Sequence, residues 1–65
     1  MSAKYKIAFT HKTGSVTKEQ QVVVEVDKEP TIQQAREAVR EQFLLEGRAP
    51  AEIESVAVIS VVPYP

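Results

Sequence analysis

Residues 31–47 read TIQQAREAVREQFLLEG, and this stretch decides the fold. Thr31 and Gln34 have the spacing of a capping box, in which the threonine hydroxyl accepts from an early helical N–H and the glutamine reaches back. Gly47 suits the position just past a helix end. Between these signals, apolar residues recur at helical spacing. They are Ile32, Ala35, Val39 and Phe43. The stretch therefore predicts a helix from residue 32 to about 45.

Two strands are predicted before this helix. Residues 4–12 and 20–27 both alternate between apolar and polar side chains, which indicates strands with one buried face. The connection over residues 12–18 contains Gly14 but no Asn-Gly or Asp-Gly pair, so we expect a loop longer than a tight hairpin turn. Together with the helix stripe, these strands predict one core. Its members are Tyr5, Ile7, Phe9, Val22, Val24, Val26, Ile32, Ala35, Val39 and Phe43.

A third strand is predicted over Ile53–Val62, where seven of ten residues are apolar. Simple connectivity then gives one α+β domain over residues 1–65, with ββαβ order, a mostly antiparallel sheet in strand order 2-1-3, and the helix on one face. The third strand does not alternate, and such a run is typical of a strand buried on both faces. In this sheet it is an edge strand, so its apolar edge is interpreted as a contact for a partner.

Composition limits the classes of protein and site. The chain has 65 residues and no cysteine, which excludes disulfides and thiolate metal sites and favours a reducing cytoplasm. No segment approaches the roughly 20 apolar residues of a membrane span, and no signal peptide is visible. We expect a cytoplasmic domain without membrane contact.

No residue set predicts catalysis. His11, the only histidine, is expected at the surface near a strand end, and no further ligand accompanies it. Glu52 and Glu54 are expected to flank the start of the third strand and to supply solubility. The serines lack a nucleophile motif, and two glycines cannot form a phosphate-binding loop. We therefore expect no catalytic residue, no metal and no cofactor, and a protein that is not an enzyme.

Charge is distributed unevenly along the chain. Residues 1–18 contain four lysines and no acid, whereas residues 19–65 contain nine acids and four basic residues. Lys4, Lys6 and Lys12 share one strand face, which leaves nucleic-acid binding as an alternative. Against it, the predicted face lacks aromatic side chains for base stacking, and the net charge is −1.

The helix and last strand resemble those of the small inhibitor of bacterial RNA polymerase encoded by T7-like phages. The resemblance covers roughly residues 20–65 and is carried by Thr31-Ile32-Gln33-Gln34-Ala35, Glu37, Gln42-Phe43 and Val61-Val62-Pro63. It implies a non-catalytic protein that regulates transcription by clamping onto host polymerase in the host cytoplasm. That family has functional arginines on its last strand, and the matching positions here are Ser60 and Val62.

A second resemblance is to the ubiquitin-like β-grasp family. Val24-Glu25-Val26, Thr31-Ile32, Glu46-Gly47 and Pro50 are similar to its first half. The chain lacks the later strands and the terminal Gly-Gly, so this resemblance implies an adaptor and not a conjugated modifier.

The leading hypothesis is a non-enzymatic inhibitor or adaptor that docks on a larger protein, with host RNA polymerase as the most specific candidate. The alternatives are a small nucleic-acid-binding module that uses the lysine face and a ubiquitin-like adaptor. The protein is expected to be a monomer or a weak homodimer through the third strand. The predicted contact residues are Lys4, Lys6, Val56, Val58, Ser60 and Val62.

Overall fold

Three strands and two helices make up the fold in the computed structural model, which describes residues 2–65. The elements are β1 (Ala3–Thr13), β2 (Val16–Val26), α1 (Ile32–Leu45), α2 (Pro50–Glu54) and β3 (Ala57–Pro63). The strands form one antiparallel sheet in the order β2-β1-β3. The predicted α+β class, the sheet order and the bounds of the main helix are confirmed. Neither helix in the described part of the chain is long and apolar enough to cross a membrane.

The β1–β2 connection is a tight turn, so the predicted longer loop is wrong. Thr13 pairs with Val16, which leaves Gly14 and Ser15 as the only turn residues. Gly14 has φ +65°, and no non-glycine residue has positive φ, which fits a type II′ turn with glycine at its first central position. Because this turn matches the twist of the strands, pairing starts at once and β2 begins at residue 16 instead of 20.

Both ends of α1 are capped as the sequence predicts. The Thr31 hydroxyl accepts from the Gln34 backbone N–H at 3.0 Å, and the Gln34 side-chain oxygen accepts from the Thr31 N–H at 3.0 Å. At the other end, Gly47 has φ +75° and the Arg48 N–H donates to the Phe43 carbonyl at 3.1 Å. This is a Schellman motif, and it turns the chain sharply towards α2.

The short helix α2 replaces the predicted start of the third strand. Pro50 occupies its first turn, where a proline suits the helix because its fixed φ is helical and its missing N–H is not needed. The Ile53 N–H donates to the Ala49 carbonyl at 3.1 Å, and Ile53 packs against the core from this helix. Glu52 and Glu54 therefore lie on α2, and β3 begins at Ala57.

A β-bulge in β3 explains why its apolar residues do not alternate. Phe9 of β1 lies opposite Val58 and Ala8 lies opposite Ser60, so Ile59 is an extra residue without a partner of its own. A bulge shifts the phase of the alternation by one residue. Val58 before the bulge and Val61 after it consequently both pack against the core, opposite Phe9 and Ile7.

The core lies between the sheet and the two helices. Its fully buried members are Ile7, Phe9, Ala35, Val39, Phe43 and Val56. Val22, Val24, Val58 and Val61 are half-buried against it. Ile32 was predicted to join them but is 56% exposed. Its side chain leans towards the N-terminus of α1, as helical side chains do, so at the first helical position it projects beyond the sheet.

Candidate partner-binding surface

The richest polar cluster lies where the end of β1 meets α2. Nδ1 of His11 is 3.1 Å from Oε2 of Glu52, but the contact lacks the geometry of a hydrogen bond, and neither ring nitrogen has a partner in residues 2–65. The same Glu52 oxygen accepts from the Thr13 hydroxyl at 2.6 Å and from Nη1 of Arg48 at 3.0 Å. The Thr13 hydrogen bond, with help from Arg48, holds the pKa of Glu52 below its ordinary value. A carboxylate with a lowered pKa is a weaker proton acceptor, and so a poorer general base near neutral pH.

His11 is buried, so the prediction of a surface histidine is wrong. Its side chain is 0% exposed, and its ring packs edge-on against Phe43 with the centroids 4.9 Å apart. The signal was present, because position 11 continues the odd-numbered apolar face of β1 that includes Ile7 and Phe9. No solute can reach a fully buried ring, so His11 acts here as a core residue. Within residues 2–65, no three acidic or histidine side chains are grouped to hold a metal ion.

Arg48 joins this cluster to the end of α1. Its guanidinium carbon lies 4.4 Å from the centroid of the Phe43 ring, a cation–π contact. Its Nε donates to Oε1 of Glu46 at 2.7 Å, which lowers the pKa of Glu46 and raises the pKa of Arg48. Because Arg48 also contacts Glu52, the cluster links α1, α2 and β1. The cluster therefore holds these three elements together and is arranged for a structural role.

The other face of the sheet carries no helix, and we call it the open face. It consists of the side chains that alternate with the core residues. On β1 these are Lys4, Lys6, Ala8, Thr10 and Lys12, on β2 Thr17, Glu19, Gln21, Val23 and Glu25, and on β3 Ala57, Ser60 and Val62. The bulge residue Ile59 is also exposed, by 55%.

A row of three side chains crosses the centre of this face. Lys6 lies opposite Val23 on one side and Val62 on the other. The two valines are 47% and 40% exposed, whereas Lys6 is half-buried between them. A lysine in such a position lays its methylene stem along apolar neighbours and keeps its ammonium in water. The row therefore offers apolar contact area around a single positive charge.

The charges of the open face are segregated. Lys4, Lys6 and Lys12 lie on β1, the β3 residues are neutral, and the acids Glu19 and Glu25 are confined to β2. Each ion pair found in residues 2–65 involves Arg40, Arg48 or His11, and none involves a lysine. The half formed by β1 and β3, which we call the basic half, thus carries three lysines without an acidic partner within 4.0 Å.

The structure brings together four of the six predicted contact residues. Lys4, Lys6, Ser60 and Val62 lie on the basic half. Val56 is 2% exposed in the core, and Val58 lies opposite the buried Phe9, so neither can contact a partner on this face. These two assignments are corrected, because the bulge that turns both valines inward has no local signal in the sequence. Residues missed by sequence reasoning are Val23, Ala57 and Ile59.

A second apolar surface lies on the helix side. Leu44 and Leu45 are 68% and 78% exposed beside Ile53, at a cleft of about 730 Å³ between α1 and α2. Both arginines that line this cleft are already paired, since Nη2 of Arg40 contacts Oε1 of Glu54 at 3.0 Å and Nη1 of Arg48 contacts Oε2 of Glu52 at 3.0 Å. This surface therefore has less free charge to offer than the basic half.

No protein-family model, no curated protein and no solved structure matches the chain. The function is therefore argued from the surface geometry.

Proposed function

We propose that this chain is a non-enzymatic protein-binding module that docks on an acidic patch of a larger protein through the basic half of the open face and the adjoining Val23 of β2. The observation that carries the proposal is the row of Val23, Lys6 and Val62, in which exposed apolar area surrounds an unpaired lysine. Apolar surface that loses its water on binding supplies affinity, and complementary charge orients the partner and speeds association.

The shape of the surface supports a protein partner. Ala8, Ala57 and Ser60 are small, so the part of the basic half beside Lys6 and Val62 is a floor with little side-chain bulk. A protein loop or helix can lie on such a floor. The exposed side chains that border it are aliphatic and basic. Tyr64, just after β3, is 48% exposed, and its N–H donates to the Lys4 carbonyl at 2.9 Å, so it offers one aromatic surface beside the lysines. A single aromatic is less than the series of aromatics on which successive nucleobases stack.

Bacterial RNA polymerase is the first partner to test, on the resemblance of α1 and the end of β3 to the phage inhibitor. We expect purified polymerase to broaden or shift the amide signals of Lys6, Ser60 and Val62 in the isotope-labelled protein. Lys6→Glu should weaken binding strongly, because it reverses the charge at the centre of the row. Leu44→Lys, on the opposite side of the molecule, is the matched control and should bind like the unchanged protein.

The outcomes separate the surface from the target. If polymerase does not bind, a capture from bacterial lysate compared between the unchanged chain and Lys6→Glu still tests the surface. If captured proteins are lost with Leu44→Lys and kept with Lys6→Glu, the basic half is not the docking site. Binding to a single-stranded or duplex oligonucleotide that falls steeply with salt would instead support the nucleic-acid alternative.

A further inference from the structure

The two edges of the sheet differ in how well they resist the addition of another strand. The β3 edge, where the sequence predicts dimerisation, contains the Ile59 bulge and ends in Pro63, and both features discourage pairing. The β2 edge runs for 11 residues, Val16–Val26, in continuous register with β1 and without a bulge or proline. Within residues 2–65, nothing pairs with its outer side.

The backbone groups on this outer edge can be identified from the hairpin. In a two-residue hairpin the closing pair, here Thr13 and Val16, exchanges hydrogen bonds, and the pairs then alternate between bonded and non-bonded. The β2 residues of the non-bonded pairs direct their N–H and C=O groups away from β1. They are Thr17, Glu19, Gln21, Val23 and Glu25.

We propose that β2 pairs with β2 of a second copy of this chain, antiparallel and about a two-fold axis at Gln21. The proposal goes beyond docking on another protein, because it assigns a backbone edge, which shares only Val23 with the docking surface, and a self-partner. A two-fold axis perpendicular to the sheet joins the two sheets into one of six strands. Residues that face each other must then lie on the same face of both sheets, so their numbers share parity.

The side chains of β2 select this register. With the axis at Gln21, Thr17 meets Glu25 and Glu19 meets Val23, and no like charges lie opposite each other. Moving the axis one residue to Val22 places Glu19 opposite Glu25. Like charges directly opposite in a sheet are destabilising, so that neighbouring register is disfavoured.

Moving the axis to Val23 brings Lys18 opposite Lys28, just beyond the strand. Moving it the other way, to Gln20, leaves Glu25 and Val26 without partners. The register centred on Gln21 is the one of these four that pairs the whole strand without a charge conflict.

The helix side also favours a neighbour at this edge. α1 lies closest to β3, and the side chains of Val22, Val24 and Val26 are only half covered. A cleft of about 440 Å³ lies between β2 and α1; apolar residues such as Ile7 and Ala38 line most of it, with Asp27, Lys28 and Gln34 as its polar members. In the paired arrangement Val16 of one copy meets Val26 of the other on this side. The valines of the second copy thus continue the apolar floor of the cleft.

A disulfide trap tests the register directly. The chain has no cysteine, so Gln21→Cys carries a single thiol. At a hydrogen-bonded antiparallel pair the Cα atoms are about 5.5 Å apart, within the usual span of a disulfide. We expect mild oxidation to give a covalent dimer that disappears on reduction.

Thr17→Cys is the matched control, because it lies on the same edge and face but meets Glu25 of the second copy. Its two thiols would be roughly 26 Å apart, eight residues along the strand at about 3.3 Å each. Equal rates of cross-linking for both variants would overturn the proposal. So would the absence of a covalent dimer from Gln21→Cys at about 1 mM, a concentration at which even a weak pair with a dissociation constant of about 1 mM is half formed.

Sedimentation of the cysteine-free chain gives an independent check. Gln21→Lys places two lysines together at the axis, so the dissociation constant should rise by roughly tenfold or more. Val62→Lys, on the far edge of the sheet, should leave it unchanged. A dimer that Val62→Lys disrupts and Gln21→Lys spares would show that β2 is not the interface, whereas failure of the dimer leaves the docking role of the basic half standing.

Discussion

His11 lies with its Nδ1 atom 3.1 Å from Oε2 of Glu52, and this contact brings the only histidine of the chain beside a carboxylate of α2. The same oxygen also accepts hydrogen bonds from Thr13 and Arg48. One carboxylate oxygen thus connects the end of β1, α2 and the loop after α1. The cluster has consequences for how stability depends on pH and on sequence.

Glu52 is expected to make the fold sensitive to acid. Its pKa is lowered in the folded chain, chiefly by the Thr13 hydrogen bond, from an ordinary value of 4.5. A carboxyl with a lower pKa in the folded state stabilises the fold fully above its unfolded-state pKa. That contribution is lost as the pH falls through the folded-state pKa, so stability should decline below about pH 4.5.

Urea unfolding between pH 7 and pH 3 measures this effect. Glu52→Gln should flatten the acid limb and lower stability at pH 7. Glu46→Gln is an informative comparison, since the pKa of Glu46 is also lowered by its bond to Arg48, and it should remove a separate part of the dependence. An unchanged acid limb in both variants would contradict this account.

Replacing His11 by leucine should stabilise the protein. The ring is fully buried and neither nitrogen has a hydrogen-bond partner in the described chain. Removing a buried polar group that is unsatisfied recovers its desolvation cost, about 1 kcal/mol or somewhat more. Thermal and urea unfolding of His11→Leu measures the gain. His11→Asn, a smaller polar side chain, is the comparison and should lower stability. A His11→Leu variant less stable than the unchanged chain would contradict the prediction and would mean that the ring's contacts with Phe43 and Glu52 outweigh the cost of its unpaired nitrogens.

The capping box of α1 should contribute measurably to stability. Thr31→Ala removes the side-chain acceptor for the Gln34 N–H and should lower the free energy of unfolding by about 1 kcal/mol. Gln33→Ala, an exposed change in the same turn without a capping contact, is the control and should change it much less. Chemical denaturation of the two variants decides between capping and a general effect of alanine.

Deleting Ile59 should leave the fold intact. Without this residue, Ser60 and Val58 become consecutive opposite Ala8 and Phe9, and the alternation of β3 becomes regular. Deleting Ala8 from β1, where the register with β2 is continuous, should instead turn core residues outward and abolish cooperative unfolding. Amide spectra and thermal melts of both deletions test the prediction, and loss of structure on deleting Ile59 would count against it.

The bounds of α1 and the order of the strands follow from local sequence signals. The capping box, Gly47 and the alternation of β1 act over a few residues and point in the same direction. The Gly14-Ser15 turn was predictable too, because glycine followed by serine suits a type II′ hairpin.

What the sequence could not supply depends on pairing between distant segments. A bulge at Ile59 is defined only by the pairing of β3 with β1. Without that pairing, the apolar run in β3 indicates a strand with two apolar faces, and Val56 and Val58 are expected on the surface. The helix α2 has a different explanation: Pro50 is a local start signal for a helix, but the apolar run behind it favours a strand. The bulge alone accounts for the two predicted contact residues, Val56 and Val58, that face the core instead of a partner.

The pairing of Tyr5 with Pro63 has a mechanical consequence. It places the beginning of β1 and the end of β3 side by side at one end of an antiparallel pair. A force that pulls these two ends apart acts along the hydrogen bonds between the strands, which lie perpendicular to them. The bonds then open one after another, as in a zipper, instead of sharing the load in shear. The domain should therefore yield at low force when stretched from its ends, whatever its thermodynamic stability.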